Sequence, residues 1–234
     1  MERIIILTGA GMSAESGIKT FRDNNGLWEE HDVMEVASPT AWDKNPELVL
    51  RFYNLRRQQL KEVAPNTAHR ALVDLEEHYD VRIITQNVDD LHERAGSSQV
   101  IHLHGELRKV RSTSHPEHVY AWEKDLHWGD CCEKSGAQLR PHIVWFGEAV
   151  PMMEHAVREI VEADRVIIIG TSMQVYPAAG LIGFAPGHIP VHYVDPNPSV
   201  NYELQRSKEL QIIAEAAGTG VPELVQKLIG RASK

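Results

Sequence analysis

A chain of 234 residues, 42% of them apolar, can bury one sizeable α/β core. A net charge of -9 and a pI near 5.8 argue against duplex nucleic acid or an anionic membrane as the main partner, because both reward a basic surface. The only cysteines, Cys131 and Cys132, are adjacent and build no disulfide framework, Met1 to Arg3 run straight into an apolar segment, and no apolar stretch approaches the ~20 residues of a membrane helix. The expectation is a cytoplasmic, monomeric protein with no membrane attachment.

The apolar run Ile4-Ile5-Ile6-Leu7 breaks into Thr8-Gly9-Ala10-Gly11-Met12-Ser13-Ala14, which predicts a buried strand, a tight turn and a helix N-terminus. Gly9, Gly11 and Ala14 match G-x-G-x-x-[GA], where missing side chains let backbone approach a pyrophosphate and unpaired helical N–H groups face it. An ordinary strand-helix turn carries the same letters. A dehydrogenase of this type needs a second apolar strand ending in an acid about 20 residues on. Here Phe21 to Trp28 is polar and turn-rich, and Glu29, Glu30 and Asp32 end no apolar run. The segment offers instead Arg22, a cation beside the turn, and Phe21 and Trp28, aromatic groups suited to covering a cofactor.

Apolar residues at helical spacing over Pro46 to Arg57 predict an amphipathic helix on which Tyr53 and Arg56 share a face. That pair suits a small anion, or it is a core-edge tyrosine beside a solvated arginine. A helix over Asn66 to Glu77 precedes a strand, Val81 to Ile84, which ends in Thr85-Gln86-Asn87-Val88-Asp89-Asp90. Polar side chains directly after a buried strand are expensive to desolvate unless they hold a ligand or one another. Val100 to Gly105 reads as a further strand with His102 and His104 on one face; as a metal pair they lack a third ligand at any obvious spacing. Residues 108 to 140 are a polar insert. Leu139 to Glu148 is an aromatic segment suited to a peptide groove, Val166 to Ile169 ends in Gly170-Thr171-Ser172, Val191 to Val194 ends in Asp195-Pro196-Asn197, and a last helix covers Val221 to Ile229. Alternating strands and helices predict an α/β fold with a doubly wound, Rossmann-like parallel sheet and a small inserted module. Small or polar residues at four strand ends point to a cofactor laid across the sheet edge.

The motifs Gly9-Ala10-Gly11-Met12-Ser13-Ala14-Glu15-Ser16-Gly17-Ile18 with Phe21-Arg22, Thr85-Gln86-Asn87-Val88-Asp89, His102-Leu103-His104-Gly105, Phe146-Gly147-Glu148 and Gly170-Thr171-Ser172 occur in the order found in sirtuins. The chain resembles that family of NAD-dependent protein-lysine deacylases over nearly its whole length. Phe52-Tyr53-Asn54-Leu55-Arg56-Arg57 resembles the Tyr-x-x-Arg signature of the bacterial and mitochondrial branch that removes acidic acyl groups.

The resemblance implies a single catalytic unit over 1–234. It comprises a Rossmann-like NAD-binding domain over about 1–30, 65–107 and 141–234, a helical insert over about 31–64, and a zinc-ribbon-like insert over about 108–140. It implies NAD held by Gly9, Ala10, Gly11, Ser13, Ala14, Phe21, Arg22, Trp28, Gln86, Gly170, Thr171 and Ser172, with Asn87 and Asp89 framing the nicotinamide. Asp195, or Asn197 in another register, takes the adenosine ribose. An acylated lysine protein or peptide lies against Val144, Phe146 and Gly147, with Tyr53 and Arg56 on an acidic acyl group. His104 is the implied general base and Asn87 a further catalytic residue; nicotinamide, free lysine and O-acyl-ADP-ribose are the implied products. Deacetylation alone, or ADP-ribosyl transfer at the same NAD site, are the competing activities.

Zinc is the departure. Where the family carries two C-x-x-C pairs, this chain has Ser112-Thr113-Ser114-His115 and Asp130-Cys131-Cys132-Glu133, so no metal site is expected; a mixed set of Cys132, His115 and a carboxylate is the alternative.

Overall fold

The structure, a computed structural model, describes residues 1–18, 27–28 and 31–232. Strand β1 (Arg3–Thr8) opens the chain; β2 (Leu27–Trp28) and β3 (His31–Asp32) pair antiparallel and lead into helices α1 (Val33–Val36), α2 (Pro39–Lys44) and α3 (Pro46–Gln59). Next come α4 (Thr67–Glu76), β4 (Asp80–Thr85), α5 (Leu91–Ala95) and β5 (Val100–His102). Strands β6 (Gly105–Ser112), β7 (Val119–Ala121) and β8 (Leu139–Ile143) form a separate antiparallel sheet in the order β7-β6-β8. The chain then completes the main sheet through α6 (Met153–Ile160), β9 (Arg165–Ile169), β10 (Val191–Val194), α7 (Tyr202–Gln205), β11 (Leu210–Ile213) and α8 (Ala217–Ala232).

The main sheet has six strands in the order β11-β10-β9-β1-β4-β5, every pairing parallel. Successive side chains of β1 point to opposite faces, so its two layers of apolar residues feed two cores. Ile4 and Ile6 pack with Leu72, Leu75, Val221 and Leu228 of α4 and α8. Ile5 and Leu7 pack with Ile160, Leu181 and Tyr193 on the other face. Each such side chain, fully buried, contributes about 1.5–3 kcal/mol. The fold class is therefore α/β with a doubly wound parallel sheet and a small separate antiparallel sheet.

The helices that carry the site start where the sequence supplies caps. Asn45 accepts the Leu48 N–H and Pro46 takes the first turn of α3, where an amide would lack a partner in any case. Asn66 caps α4 reciprocally with His69, whose Nδ1 accepts the Asn66 N–H at 3.3 Å.

Two expectations change. The helix expected after the glycine turn is instead a pair of three-residue 3-10 turns, Ala10–Met12 and Ala14–Ser16, the second closed by Gly17 in the left-handed region (φ 97°). The amides of Gly9 and Gly11 are not left for a ligand: they donate to the carbonyls of Ile169 (3.0 Å) and Gly170 (2.8 Å), stitching the turn to the end of β9. Edge strand β11 was not legible, because only its ends are half-buried and Gln211 and Ile212 are exposed.

Candidate functional site

Strand order reverses at β1, which has β4 on one side and β9 on the other, and parallel sheets bind ligands in the crevice outside such a switch point. The crevice here needs glycine. A Cβ on Gly11 would lie 2.7 Å from the Gly170 Cα, and one on Gly9 would lie 2.7 Å from the Thr171 Cβ, distances that real side chains do not adopt. Above the switch point lies a cavity of about 1000 Å³. Its wall includes Gly9, Ala10, Gly11, Ala14, Gln86, Asn87, Asp89, His104, Gly170, Thr171, Ser172, Asp195 and Asn197, with Tyr53, Arg56, Val144, Phe146 and Gly147. The structure thus brings most of the expected residues to one space. Phe21 and Arg22 lie outside the described residues; Trp28 falls in β2, and nothing is stated of its side chain. Ser13 is not at the wall: it is fully buried and acts through Asp89.

The polar residues after β4 are held by one another. Ser13 Oγ donates to Asp89 Oδ2 (3.0 Å) and accepts from Asn87 Nδ2 (3.2 Å); the Asn87 N–H reaches Thr85 Oγ1 (3.0 Å), and the Leu91 N–H reaches Asp89 Oδ1 (3.1 Å). Burial pushes the Asp89 carboxyl up, against the Leu91 amide and the Ser13 hydroxyl, which favour its charged form. Gln86 Nε2 donates to Thr171 Oγ1 at 3.0 Å, tying the ends of β4 and β9 together.

His104 follows β5 rather than lying in it, since the strand ends at His102, so strict strand alternation does not govern the pair. Its Nδ1 is 3.1 Å from the Gln86 carbonyl oxygen. A carbonyl only accepts, so Nδ1 carries the proton and Nε2 keeps its lone pair. Burial lowers the His104 pKa, partly opposed by the bond to Gln86, and the ring is a neutral base at neutral pH.

Tyr53 and Arg56, three residues apart on α3, are 0% and 6% exposed. The Trp145 indole N–H donates to the Tyr53 hydroxyl (3.1 Å), and burial raises the phenol well above its ordinary pKa, so it stays a neutral hydroxyl. Arg56 Nη1 donates to Gln59 Oε1 (3.0 Å). The segment after β8 is clamped by Glu148, which accepts the Trp145 N–H (2.8 Å), both terminal nitrogens of Arg140 (2.7 and 3.1 Å) and Arg111 (3.2 Å). The Arg140 guanidinium also lies 3.2 Å from the centroid of the Trp145 ring. Sequence reasoning missed Arg140 and the clamping role of Glu148. The available signal was a charged residue set inside the apolar run from Leu139 to Phe146. Asp195 is buried and its Oδ1 accepts the Asn197 N–H at 2.8 Å, so the two alternatives for the ribose belong to one turn.

In the small sheet the donors of the mixed zinc set point to different partners. His115 Nδ1 faces Glu117 (3.2 Å), whereas Cys132 Sγ faces the Tyr120 hydroxyl (3.2 Å) and His118 (3.7 Å). Ser112 bonds Ser135 (2.9 Å) and Ser114 (3.3 Å). Among the described residues no group of three His, Cys, Asp or Glu could hold a metal ion.

The Sir2 family model matches residues 9–177, which contain the glycine turn, the segment after β4, His104 and the Glu148 clamp. The chain belongs to the Sir2 family. Among curated sirtuins it is 58% identical to an NAD-dependent protein deacylase of Helicobacter pylori over 233 residues, covering 100% of both chains. It is 49% identical to an NAD-dependent protein deacylase of Bacteroides thetaiotaomicron, covering 98% of this chain and 99% of that one. Among solved structures, the crystal structure of a Sir2 homolog–NAD complex superposes with a TM-score of 0.87 at 40% identity, covering 98% of this chain and 90% of that one. Sir2 bound to acetylated peptide gives 0.76 at 27% identity, covering 98% and 93%. Among the described residues of this sirtuin no helix is long and apolar enough to cross a membrane.

Proposed function

We propose that this sirtuin removes acyl groups, succinyl and malonyl as well as acetyl, from lysine side chains of proteins, consuming NAD and water and releasing nicotinamide, the free lysine and O-acyl-ADP-ribose. Relatives named NAD-dependent protein deacylases and Sir2 structures holding NAD or acetylated peptide support the reaction class. The observation that carries the reading is the convergence on one cavity of a neutral imidazole, a nucleotide-sized glycine crevice and a buried Tyr-Arg pair.

NAD, when bound, supplies an electrophilic ribose carbon from which nicotinamide departs. The glycine crevice and Gly170-Thr171-Ser172 hold its pyrophosphate, Gln86 lies near the nicotinamide ribose, and Asn87 and Asp89 border the nicotinamide. Asp195 and Asn197 accept from the adenosine ribose. Val144, Phe146 and Gly147, on the cavity wall, seat the acyl-lysine peptide. His104 Nε2 takes a hydroxyl proton, while its Nδ1–H to Gln86 keeps the ring in the tautomer this requires. Positioning supplies much of the rate, because an amide oxygen is a weak nucleophile. Arg56 and the Tyr53 hydroxyl offset the desolvation of a carboxylate at the end of the acyl chain.

The test is mass spectrometry of one lysine peptide bearing acetyl or succinyl, with and without NAD, using this protein and its His104→Ala variant. The expected result is NAD-dependent loss of both groups, succinyl favoured, and at least a roughly hundredfold slower reaction in the variant. Acetyl loss alone removes the acidic-acyl claim; transfer of ADP-ribose to the peptide without acyl loss replaces the reading with the transferase one.

A further inference from the structure

The two histidines at the end of β5 grip consecutive carbonyls of the segment that leaves β4. His104 Nδ1 holds Gln86 O, and His102 Nδ1 lies 3.0 Å from Asn87 O. The second nitrogen makes the difference between them. His102 Nε2 lies 2.7 Å from Glu93 Oε1, on α5. A carbonyl and a carboxylate are both acceptors, so both ring nitrogens must carry hydrogen for both contacts to exist. His102 is therefore an imidazolium bridging α5 to the backbone of Asn87, with a side chain only 8% exposed.

We propose that His102 is a positioning residue: charged and paired with Glu93, it fixes the Asn87 backbone, and with it the Ser13–Asn87–Asp89 network, for the nicotinamide end of NAD, and loss of its proton loosens that end. The proposal rests on the assignment of Asn87 and Asp89 to the nicotinamide made above. On deprotonation the ring has one N–H left for two acceptors, so one of the two contacts is lost. The groups that set its charge come from every neighbouring element. Glu93 and His92 lie on α5, Glu106 on β6, and Asp89 on the loop between β4 and α5; Lys109 of β6 bonds Glu106 at 2.6 Å and bears on Glu93. Burial disfavours the charged ring, but the bond to and charge of Glu93, with Glu106 and the Asn87 carbonyl, outweigh it and raise the His102 pKa above the ordinary value. The clasp is thus fully present below the ordinary imidazole value near 6.5 and is lost as pH rises through the raised one.

The experiment measures NAD affinity by calorimetry on the full chain from about pH 6 to about pH 9, while the His102 ring is titrated by NMR. In the unsubstituted protein the NAD Kd should rise roughly 5- to 30-fold along the same curve as the ring titration. His102→Asn keeps a donor near the carbonyl but has no proton to lose in this range, so its Kd should be flat. Glu93→Gln, at a 40% exposed side chain, removes the charge that supports the imidazolium, and the rise should move to lower pH. His102→Leu has no donor and should bind NAD more weakly at every pH. A His102 ring that is neutral at pH ~6, an NAD Kd that does not change with pH, or the same rise surviving in His102→Asn overturns the proposal. Failure of the underlying function reads out separately, as absence of NAD-dependent acyl loss in the unsubstituted protein.

Discussion

In the proposed activity Arg56 is the group that reads an acidic acyl chain, because a carboxylate carried into an apolar cavity needs a cation that water no longer screens. The side chain is 6% exposed, and its bond to Gln59 orients the guanidinium on the helix face that also carries Tyr53. A hydrogen bond between charged partners is worth about 1.5–3 kcal/mol, more than a neutral one because the desolvated alternative is so unfavourable. Arg56→Met, close in length and apolar, should therefore lower kcat/KM for a succinyl-lysine peptide by roughly ten- to a hundredfold and for an acetyl-lysine peptide by less than about threefold. Steady-state rates on both peptides measure this. Equal losses would mean that Arg56 supports the cavity rather than reading the acyl chain. Tyr53 complements it chemically: with the Trp145 N–H on its oxygen and its pKa raised by burial, it remains a donor and adds no negative charge beside the acyl carboxylate.

At the scale of elements, the exit from β8 is held by one carboxylate shared between two arginines, next to the residues proposed to seat the peptide. Burial pushes the Glu148 pKa up, but Arg140, the Trp145 amide and Arg111 outweigh it, and the group stays ionised below the usual carboxylate range. Glu148→Gln leaves Arg111 and Arg140 mutually repelling. With 21% of the Glu148 side chain exposed, the expected loss is about 2–3 kcal/mol, below that of a dry pair. A melting temperature lower by roughly 4–10 °C follows for a chain of this size, together with a higher KM for peptide. An unchanged melting temperature would show that the clamp contributes nothing.

The same segment shows what the sequence could and could not disclose. β1, β4, β9 and β10 were legible because each is a short apolar run ended by small or polar residues. α3 was legible because apolar residues recur at helical spacing from Pro46 to Arg57, and α4 as the helical stretch ahead of β4. That Gly9, Gln86, Asn87, His104 and Gly170 share one cavity was legible for the related reason that strand ends of a parallel sheet converge on one crevice. The partner of Glu148 on β6, the contact of Glu93 with His102 and the stitching of Gly11 to Gly170 were not, since each depends on how strands pair or on how a helix packs beside the next strand, which local pattern does not carry. The helix expected after Gly9 failed similarly: local pattern suggested it, and tertiary bonds to the end of β9 shaped the turn instead.

The whole molecule carries imidazoles inside its core, and this sets how it responds to acid. His69 of α4 and His192 of β10 are 0% and 3% exposed, and burial lowers each pKa to about 4. His92 of α5, 1% exposed and 4.9 Å from His69 between ring centroids, is lowered well below its ordinary value, burial first and the neighbouring imidazoles next. His192 Nδ1 has no hydrogen-bond partner among the described residues, so protonation there gains nothing to offset desolvation. All three are neutral when folded and protonate once unfolded, so the unfolded chain binds more protons between the unfolded value near 6.5 and the folded value near 4. Stability is complete above that window and declines as pH falls through it. A tenfold change in proton affinity is worth about 1.4 kcal/mol, so at pH ~5 His69 and His192 each cost about 2 kcal/mol, and His92 acts in the same direction. His102 and Asp89, both with raised values, act in the opposite direction and recover part of the loss on acidification. Before that recovery, His69 and His192 together cost about 4 kcal/mol at pH ~5, a large fraction of the 5–15 kcal/mol typical of a folded domain. Urea unfolding at pH ~7 and pH ~5 should show the midpoint falling accordingly, with a steep further decline toward pH ~4. A midpoint that does not move would mean that the core histidines reach water or partners on protonation, and His192→Leu, which removes one of them, would then leave the acid response unaltered instead of reducing it.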